Sequence, residues 1–273
     1  MNEPIIISGV IARSEQGATK PFYCSADSGQ GYRLMYCVKG RYAGGNSLCC
    51  EWVASRLANL LVEGEVLNLP TFRMAEVPEA LVAASARPDI RDLGAGRVFA
   101  SLLIVGGQEL TWSSAQDWGE DTMAMLLLID LWLQNEDRTL SALGGNPNLL
   151  VTQTPLQPDP DRAGDPAVAP PRREELWAYD FNLAFDEDFA RERFFGSHVF
   201  GGKLTRWPAG FRERMEPRLR AALAEVPAIF AELPREWLHL DGDESLPVQL
   251  DMERVISALE LPFTDPETFW KLP

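Results

Sequence analysis

The sequence predicts an α+β fold, with a strand-rich amino-terminal part followed by a mostly helical carboxy-terminal part. Three observations carry this. Short segments rich in β-branched and aromatic residues are concentrated before residue 106. Apolar residues at helical spacing dominate after residue 120. The two patterns meet around Gly106-Gly107, and no internal repeat crosses that boundary. Two units are therefore expected, residues 1–107 and residues 108–273.

Residues 5–11, IIISGVI, are expected as the first strand. A turn or flexible loop follows over Arg13–Cys24, where Gly17 and small polar residues cluster. Tyr23–Ser25 and Tyr32–Lys39 flank a Ser/Asp/Gly turn and read as a hairpin with Lys39 at its end. The period then changes: Val53, Leu57, Leu60 and Leu61 predict a helix from near Ser47 to Val62. Val66–Met74, with Pro70 inside, is expected as a loop and a short strand. Residues 76–96 give only a weak signal, and Arg97–Val105 reads as a strand.

Thr122–Gln134 is expected as a buried helix, apolar nearly all round. Residues 153–175 are dense in Pro, Asp and Arg and predict a long exposed loop. Helices are then expected over Asp188–Phe195, Phe211–Ala224, Pro227–Leu233 and Asp251–Leu259, with Pro208 near the start of the second. Trp52, Trp132 and Trp177 show no regular spacing and read as core residues.

Composition narrows the function. A net charge of -15 argues against a general nucleic-acid binder, because phosphate contacts need clustered Lys and Arg. The longest apolar run, Met123–Leu133, is broken by Asp130 and is too short to span a bilayer. The start, MNEPIII, lacks the basic residues and cleavage site of a secretory signal, so a cytoplasmic location is expected. Cys24, Cys37, Cys49 and Cys50 form no C-x-x-C pair and read as buried thiols rather than zinc ligands. His198 and His239 sit in no nucleophile motif.

Several polar residues stand where chemistry could be done. Lys39 ends a strand and Glu51 lies early in the next helix, an arrangement that can hold phosphates. Equally, Lys39 could be a surface lysine and Glu51 a helix-start acid. Ser14, Gly17, Thr19 and Lys20 lie in one loop whose amides and hydroxyls could cup phosphates, or could simply form a turn. Asp137 follows the buried helix, where a carboxylate could accept a proton from an attacking hydroxyl. Arg138 beside it could hold that carboxylate or meet a phosphate. Asn146 and Asn148 could supply amide oxygens to a cation, or serve the turn. Asp180, at the end of a buried strand, must be paired or bind metal. Asp186 and Asp188 lie in a charged run and read as solvated.

In this order the segments GATKPF, YCVKG, EWVASRLANLL, LWLQNEDRT, NPNLL and LWAYDFNLAF make the chain resemble the HipA-like kinase family, in its short stand-alone branch. The resemblance implies a two-lobed protein-kinase-like fold that holds ATP and Mg²⁺. It implies Asp137 as catalytic base, Asn146 or Asn148 with Asp180 as metal ligands, and Lys39 on the α- and β-phosphates. Glu51 would orient Lys39, the Ser14–Lys20 loop would cover the phosphates, and Phe99–Val105 would lie near the adenine.

Two departures stand out. Kinase loops place the metal Asn about five residues after the catalytic Asp; here Asn146 is nine residues on and Asn148 eleven. The insertion LSALGG must therefore bulge out. The metal Asp, followed by His in this branch, is here followed by Phe181. The resemblance implies phosphoryl transfer to a hydroxyl of a protein Ser or Thr, or of a small molecule, and leaves room for a regulatory protein partner. The altered spacing raises the alternative of a catalytically weak or dead interaction module.

Overall fold

A computed structural model describes residues 4–15, 17–27, 31–155, 172–240 and 244–273. In the amino-terminal part the elements run β1 (Ile5–Arg13), β2 (Phe22–Asp27), β3 (Arg33–Lys39), α1 (Gly45–Val62), β4 (Leu67–Asn68), β5 (Phe72–Val77), α2 (Glu79–Ala84), α3 (Ile90–Leu93) and β6 (Gly96–Leu102). Five of these strands close a barrel in the order β1-β2-β3-β6-β5. A parallel pairing of β1 with β5, Ile5 opposite Ala75, shuts it. Alternate residues point inward, as the two-residue period of a strand requires. Ile7, Phe22, Cys24, Val38, Ala75, Val98 and Ala100 fill the lumen, and Ile90 and Leu93 of α3 join the same cluster. Ala and Cys suit the narrow interior of a small barrel.

The remaining elements are β7 (Gln108–Glu109), α4 (Glu120–Trp132), β8 (Thr139–Ser141), β9 (Gly144–Asn146), β10 (Leu149–Pro155), β11 (Arg172–Ala178), α5 (Arg191–Ser197), α6 (Phe211–Ala224), α7 (Val226–Phe230), α8 (Met252–Leu259), α9 (Leu261–Thr264) and α10 (Pro266–Phe269). Strands thus dominate early and helices late. A second sheet has the order β4-β11-β10-β7. In it β4, from the first 107 residues, pairs parallel with β11, Leu67 opposite Leu176. Helix α1 packs against α6 and α7. Its apolar residues belong to one large core with α4 and the later helices, separate from the barrel's cluster.

Several expectations change. The weak stretch 76–96 holds the end of β5 and two short helices, which are too brief to show a readable period. The loop expected over 153–175 does not hold at its ends: residues 153–155 and 172–175 are ladder residues, with Gln153 opposite Glu174 and Pro155 opposite Arg172. Their polar side chains hid a pairing made by the backbone. Residues 156–171 lie outside the described residues. Trp52 and Trp132 are core residues, whereas Trp177 is half-buried and donates from Nε1 to Thr152 Oγ1 at 2.9 Å. Cys24, Cys49 and Cys50 are buried and Cys37 half-buried, all as free thiols. Asp251 precedes α8 as its cap, accepting from Arg254 N at 2.9 Å. Among the described residues, no helix is long and apolar enough to cross a membrane.

Candidate active site

Lys39 is the last residue of β3, and Glu51 lies in the second turn of α1. Asp180 follows the end of β11. Three separate elements thus meet at one ammonium. Lys39 Nζ donates to Glu51 Oε2 at 2.7 Å and to Asp180 Oδ1 at 2.5 Å. Glu51 Oε2 also accepts from Phe181 N at 3.1 Å. Burial works against the charged lysine, but the two carboxylates outweigh it and hold Lys39 charged well above the ordinary range. Burial pushes Glu51 up. It acts the same way on Asp180, where the Lys39 charge prevails and holds the carboxyl below its usual value. Two carboxylates against one ammonium leave negative charge over.

Asp137 forms a second group. Its Oδ2 accepts from Asn146 Nδ2 and Asn148 Nδ2, both at 2.9 Å. The LSALGG insertion makes both contacts reachable by folding out as the β8–β9 hairpin, Thr139 opposite Asn146. Leu143 at its tip is fully exposed. Gly145 is required on the inner side, since a Cβ there would sit 2.4 Å from Thr139 O. Burial pushes the Asp137 carboxyl up, against the two asparagine amides. Asn148 is buried while Asn146 is exposed.

The two groups are joined through backbone. Leu149 opposes Ala178 in the β10–β11 ladder. One step further, Tyr179 N donates to Asn148 O at 3.2 Å. That bond sets Asn148 beside the residue preceding Asp180. Asn148 and Asp180 both adopt left-handed backbone, with φ of 48° and 63°. Asn and Asp tolerate this better than most residues, at some cost. Lys39, Glu51 and Asp180 line a cavity of about 70 Å³ together with Pro21, Phe99 and Ser101.

The Ser14–Lys20 loop is less directly engaged. Lys20 N donates to Gly17 O at 3.2 Å and Ser14 N to Pro21 O at 2.8 Å, closing a turn in which Gly17 has φ of 81°. Thr19 is buried and Lys20 exposed. Among the described residues, no hydrogen bond joins Gly17, Thr19 or Lys20 to Lys39; Pro21, just after the loop, reaches the cavity. Gln16 lies outside the described residues.

Arg138 corrects an expectation. It neither holds Asp137 nor faces an open cavity. Its guanidinium is fully buried and pairs with Asp130 of α4, Nε to Oδ2 at 2.7 Å. Its Nη1 donates to Asn148 O at 2.6 Å and to Tyr179 O at 3.0 Å. Asp130 also accepts from Asn135 Nδ2 at 2.8 Å and from His198 Nε2 at 3.0 Å. His198 Nδ1 accepts from Phe200 N at 3.1 Å, which fixes the neutral tautomer with its proton on Nε2. Burial favours that neutral form and depresses His198. Burial also pushes Asp130 up, but Arg138 and His198 prevail and keep its carboxyl below the usual range. Sequence reasoning missed this network, although Asp130 alone in an apolar helix was its signal: a buried charge needs a partner.

Among the described residues, no group of three His, Cys, Asp or Glu side chains is arranged to hold a metal. The donors here are mixed, carboxylates with asparagine amides. Hard oxygen donors of this kind, with excess negative charge from Asp180, Glu51 and Asp137, fit a small divalent cation.

The chain belongs to the HipA-like kinase family, whose model matches residues 7–157 and 168–273. The class this membership indicates is a phosphotransferase of the kinase type. A comparison with curated proteins found no match.

Proposed function

We propose that the chain is an ATP-dependent kinase that transfers the γ-phosphoryl group to a hydroxyl, by preference that of a protein Ser or Thr. The observation that carries this is the junction of Asp137, Asn148 and Asp180 across the Tyr179–Asn148 backbone bond, with Lys39 and Glu51 closing on Asp180. In this reading residues 1–107 form the nucleotide-binding lobe and 108–273 the catalytic lobe, with α1 and β4 tying the first into the second.

Each residue has a role. Asp137 accepts the proton of the attacking hydroxyl, as its raised affinity for protons suits. The hydroxyl oxygen forms a bond to the γ-phosphorus, the bond to the β–γ bridging oxygen breaks, and ADP leaves with that electron pair. Lys39, held charged, binds the α- and β-phosphates, and Glu51 orients it. Ser14, Gly17, Thr19 and Lys20 cover the phosphates. Asp180 and Asn148 would hold Mg²⁺, which supplies neutralisation of phosphate charge. Both asparagines steady the base through their Nδ2 groups; Asn148 is assigned to the metal because it is buried and bonded to Tyr179, whereas Asn146 is exposed.

Calorimetric titration with ATP tests this. Wild type is expected to bind ATP in a Mg²⁺-dependent manner, and Asp180→Ala to lose that dependence. Absence of ATP binding by wild type overturns the enzyme reading. Labelled-ATP transfer into a cell lysate, split into protein and small-molecule fractions, decides the substrate class; label in a metabolite alone reverses the preference for protein.

One observation favours a second reading, a kinase fold retained for interaction. Lys39 and Asp180 are paired with each other, and the cavity they line, about 70 Å³, is smaller than a nucleotide needs. ATP binding without transfer to any acceptor would select it.

A further inference from the structure

Arg138 is placed as a strut. One nitrogen, Nη1, bonds the carbonyls of Asn148 and Tyr179, so it grips both sides of the junction between the candidate base and the candidate metal ligands. Each gripped carbonyl borders strained backbone: Asn148 itself is left-handed, and Tyr179 immediately precedes left-handed Asp180. Arg138 is also the chain neighbour of Asp137, and its own carbonyl accepts from Val199 N at 3.0 Å. Moving this guanidinium would therefore move Asp137, Asn148 and Asp180 relative to one another.

The cluster is a poor investment if stability is its only purpose. Arg138 and Asp130 are fully buried, and desolvation offsets much of what such an ion pair gains. Arg138 Nη2 is buried with no hydrogen-bond partner among the described residues. What the cluster supplies is direction. Asp130 is fixed at both oxygens, by Asn135 on Oδ1 and by His198 on Oδ2. His198 is fixed in turn by Phe200 N. Every partner is locked before Arg138 reaches the junction, and outer partners of this kind govern how well inner ligands are placed.

We propose that Asp130, Arg138 and His198 form a positioning unit that sets the distance and angle between Asp137 and the Asn148–Asp180 pair. Arg138 is the strut, Asp130 its anchor and His198 the lock on that anchor. The geometric part rests on contacts alone; its effect on phosphoryl transfer rests on the kinase reading.

Arg138→Lys tests both parts. Lysine keeps the positive charge but has a single nitrogen, so it cannot bond Asp130 through one nitrogen and the two carbonyls through another, as Nε and Nη1 do here. Amide exchange at Tyr179, whose N–H bonds Asn148 O, is expected to quicken at least ~10-fold relative to amides in the barrel strands. Transfer by the variant is expected to need about 10–100-fold more Mg²⁺, with the KM for ATP nearly unchanged. A lower Tm with wild-type Tyr179 exchange and wild-type Mg²⁺ dependence overturns the proposal. If wild type transfers no phosphate, the kinase reading fails, and Tyr179 exchange alone decides the strut. Should Arg138→Lys not fold, His198→Leu and His198→Gln decide. Gln can still donate to Asp130 and is expected to keep Tyr179 protected, whereas Leu is expected to lose that protection. Equal behaviour of the two overturns the lock.

Discussion

Two ionic clusters lie close together in this molecule, and they differ in what they leave open. In one, Lys39 is shared between Glu51 and Asp180; in the other, Arg138 pairs with Asp130. The Lys39 cluster borders a cavity, the Asp180 side chain is 20% exposed, and negative charge is left uncompensated. The Arg138 cluster is sealed at 0% exposure, and its charges cancel around a neutral histidine. Both cost desolvation, yet only the first has spare charge facing a space a ligand could enter. Burial alone therefore does not single out a candidate site. Unspent charge at the edge of a cavity is the better pointer, while a neutral sealed cluster suits the positioning role proposed for it.

The strongest test of that contrast is chemical. Asp137→Asn is expected to cut the transfer rate about 10²–10⁴-fold by removing the base, with ATP binding retained; a labelled-phosphate assay beside calorimetry reads both. A rate close to wild type would put the base elsewhere.

Stability comes next. Removing either cation strands a buried carboxylate, so Lys39→Ala is expected to cost about 3–5 kcal/mol in urea unfolding. The double variant Lys39→Ala with Glu51→Ala should cost less than the two single changes together, because the partners are coupled. Additive losses would show that the contact contributes little.

A smaller effect separates the aspartates by the sign of their pH dependence. The carboxyl of Asp130 is held below its ordinary range. Its contribution is present above the ordinary aspartate range and is lost as pH falls through the depressed value. Asp137 is raised, so any contribution it makes is present below the ordinary range and is lost as pH rises through the raised value. At about pH 7, Asp130→Asn should therefore destabilise the chain, and Asp137→Asn should stabilise it by about 1 kcal/mol or less. Unfolding midpoints of both variants at several pH values check this. A shared sign would collapse the distinction. The wild-type transfer rate should also fall with acid at a pH above the ordinary aspartate value of about 3.9.

The smallest effect belongs at the hairpin tip. Leu143 is fully exposed, and Leu143→Ser should shift stability by no more than about 0.5 kcal/mol. Larger losses would mean that the insertion packs against something in solution.

Much of the site was readable because its signals are local. Lys39 ends a strand, Glu51 rides the helix that follows, and an Asp-Arg pair leaves a buried helix; periodicity and motif order reveal each of these. The destination of Arg138 was not readable. A side chain beside Asp137 could turn toward it or away, and only packing against α4 decides. Which asparagine is buried against Tyr179 was equally hidden, because it depends on how the β8–β9 hairpin folds out. The β10–β11 ladder was masked by polar side chains, which do not report a bond made between main chains.

By itself, the sequence determined the kinase family, the order of the key residues and the places of the main helices and early strands. These follow from spacing and periodicity along the chain. Tertiary structure alone decided that β4 joins β11, that Asn148 bonds Tyr179 beside Asp180, and that Asp130, Arg138 and His198 form one sealed cluster. Each of these depends on residues far apart in the chain competing for the same buried space, and no local pattern records who wins.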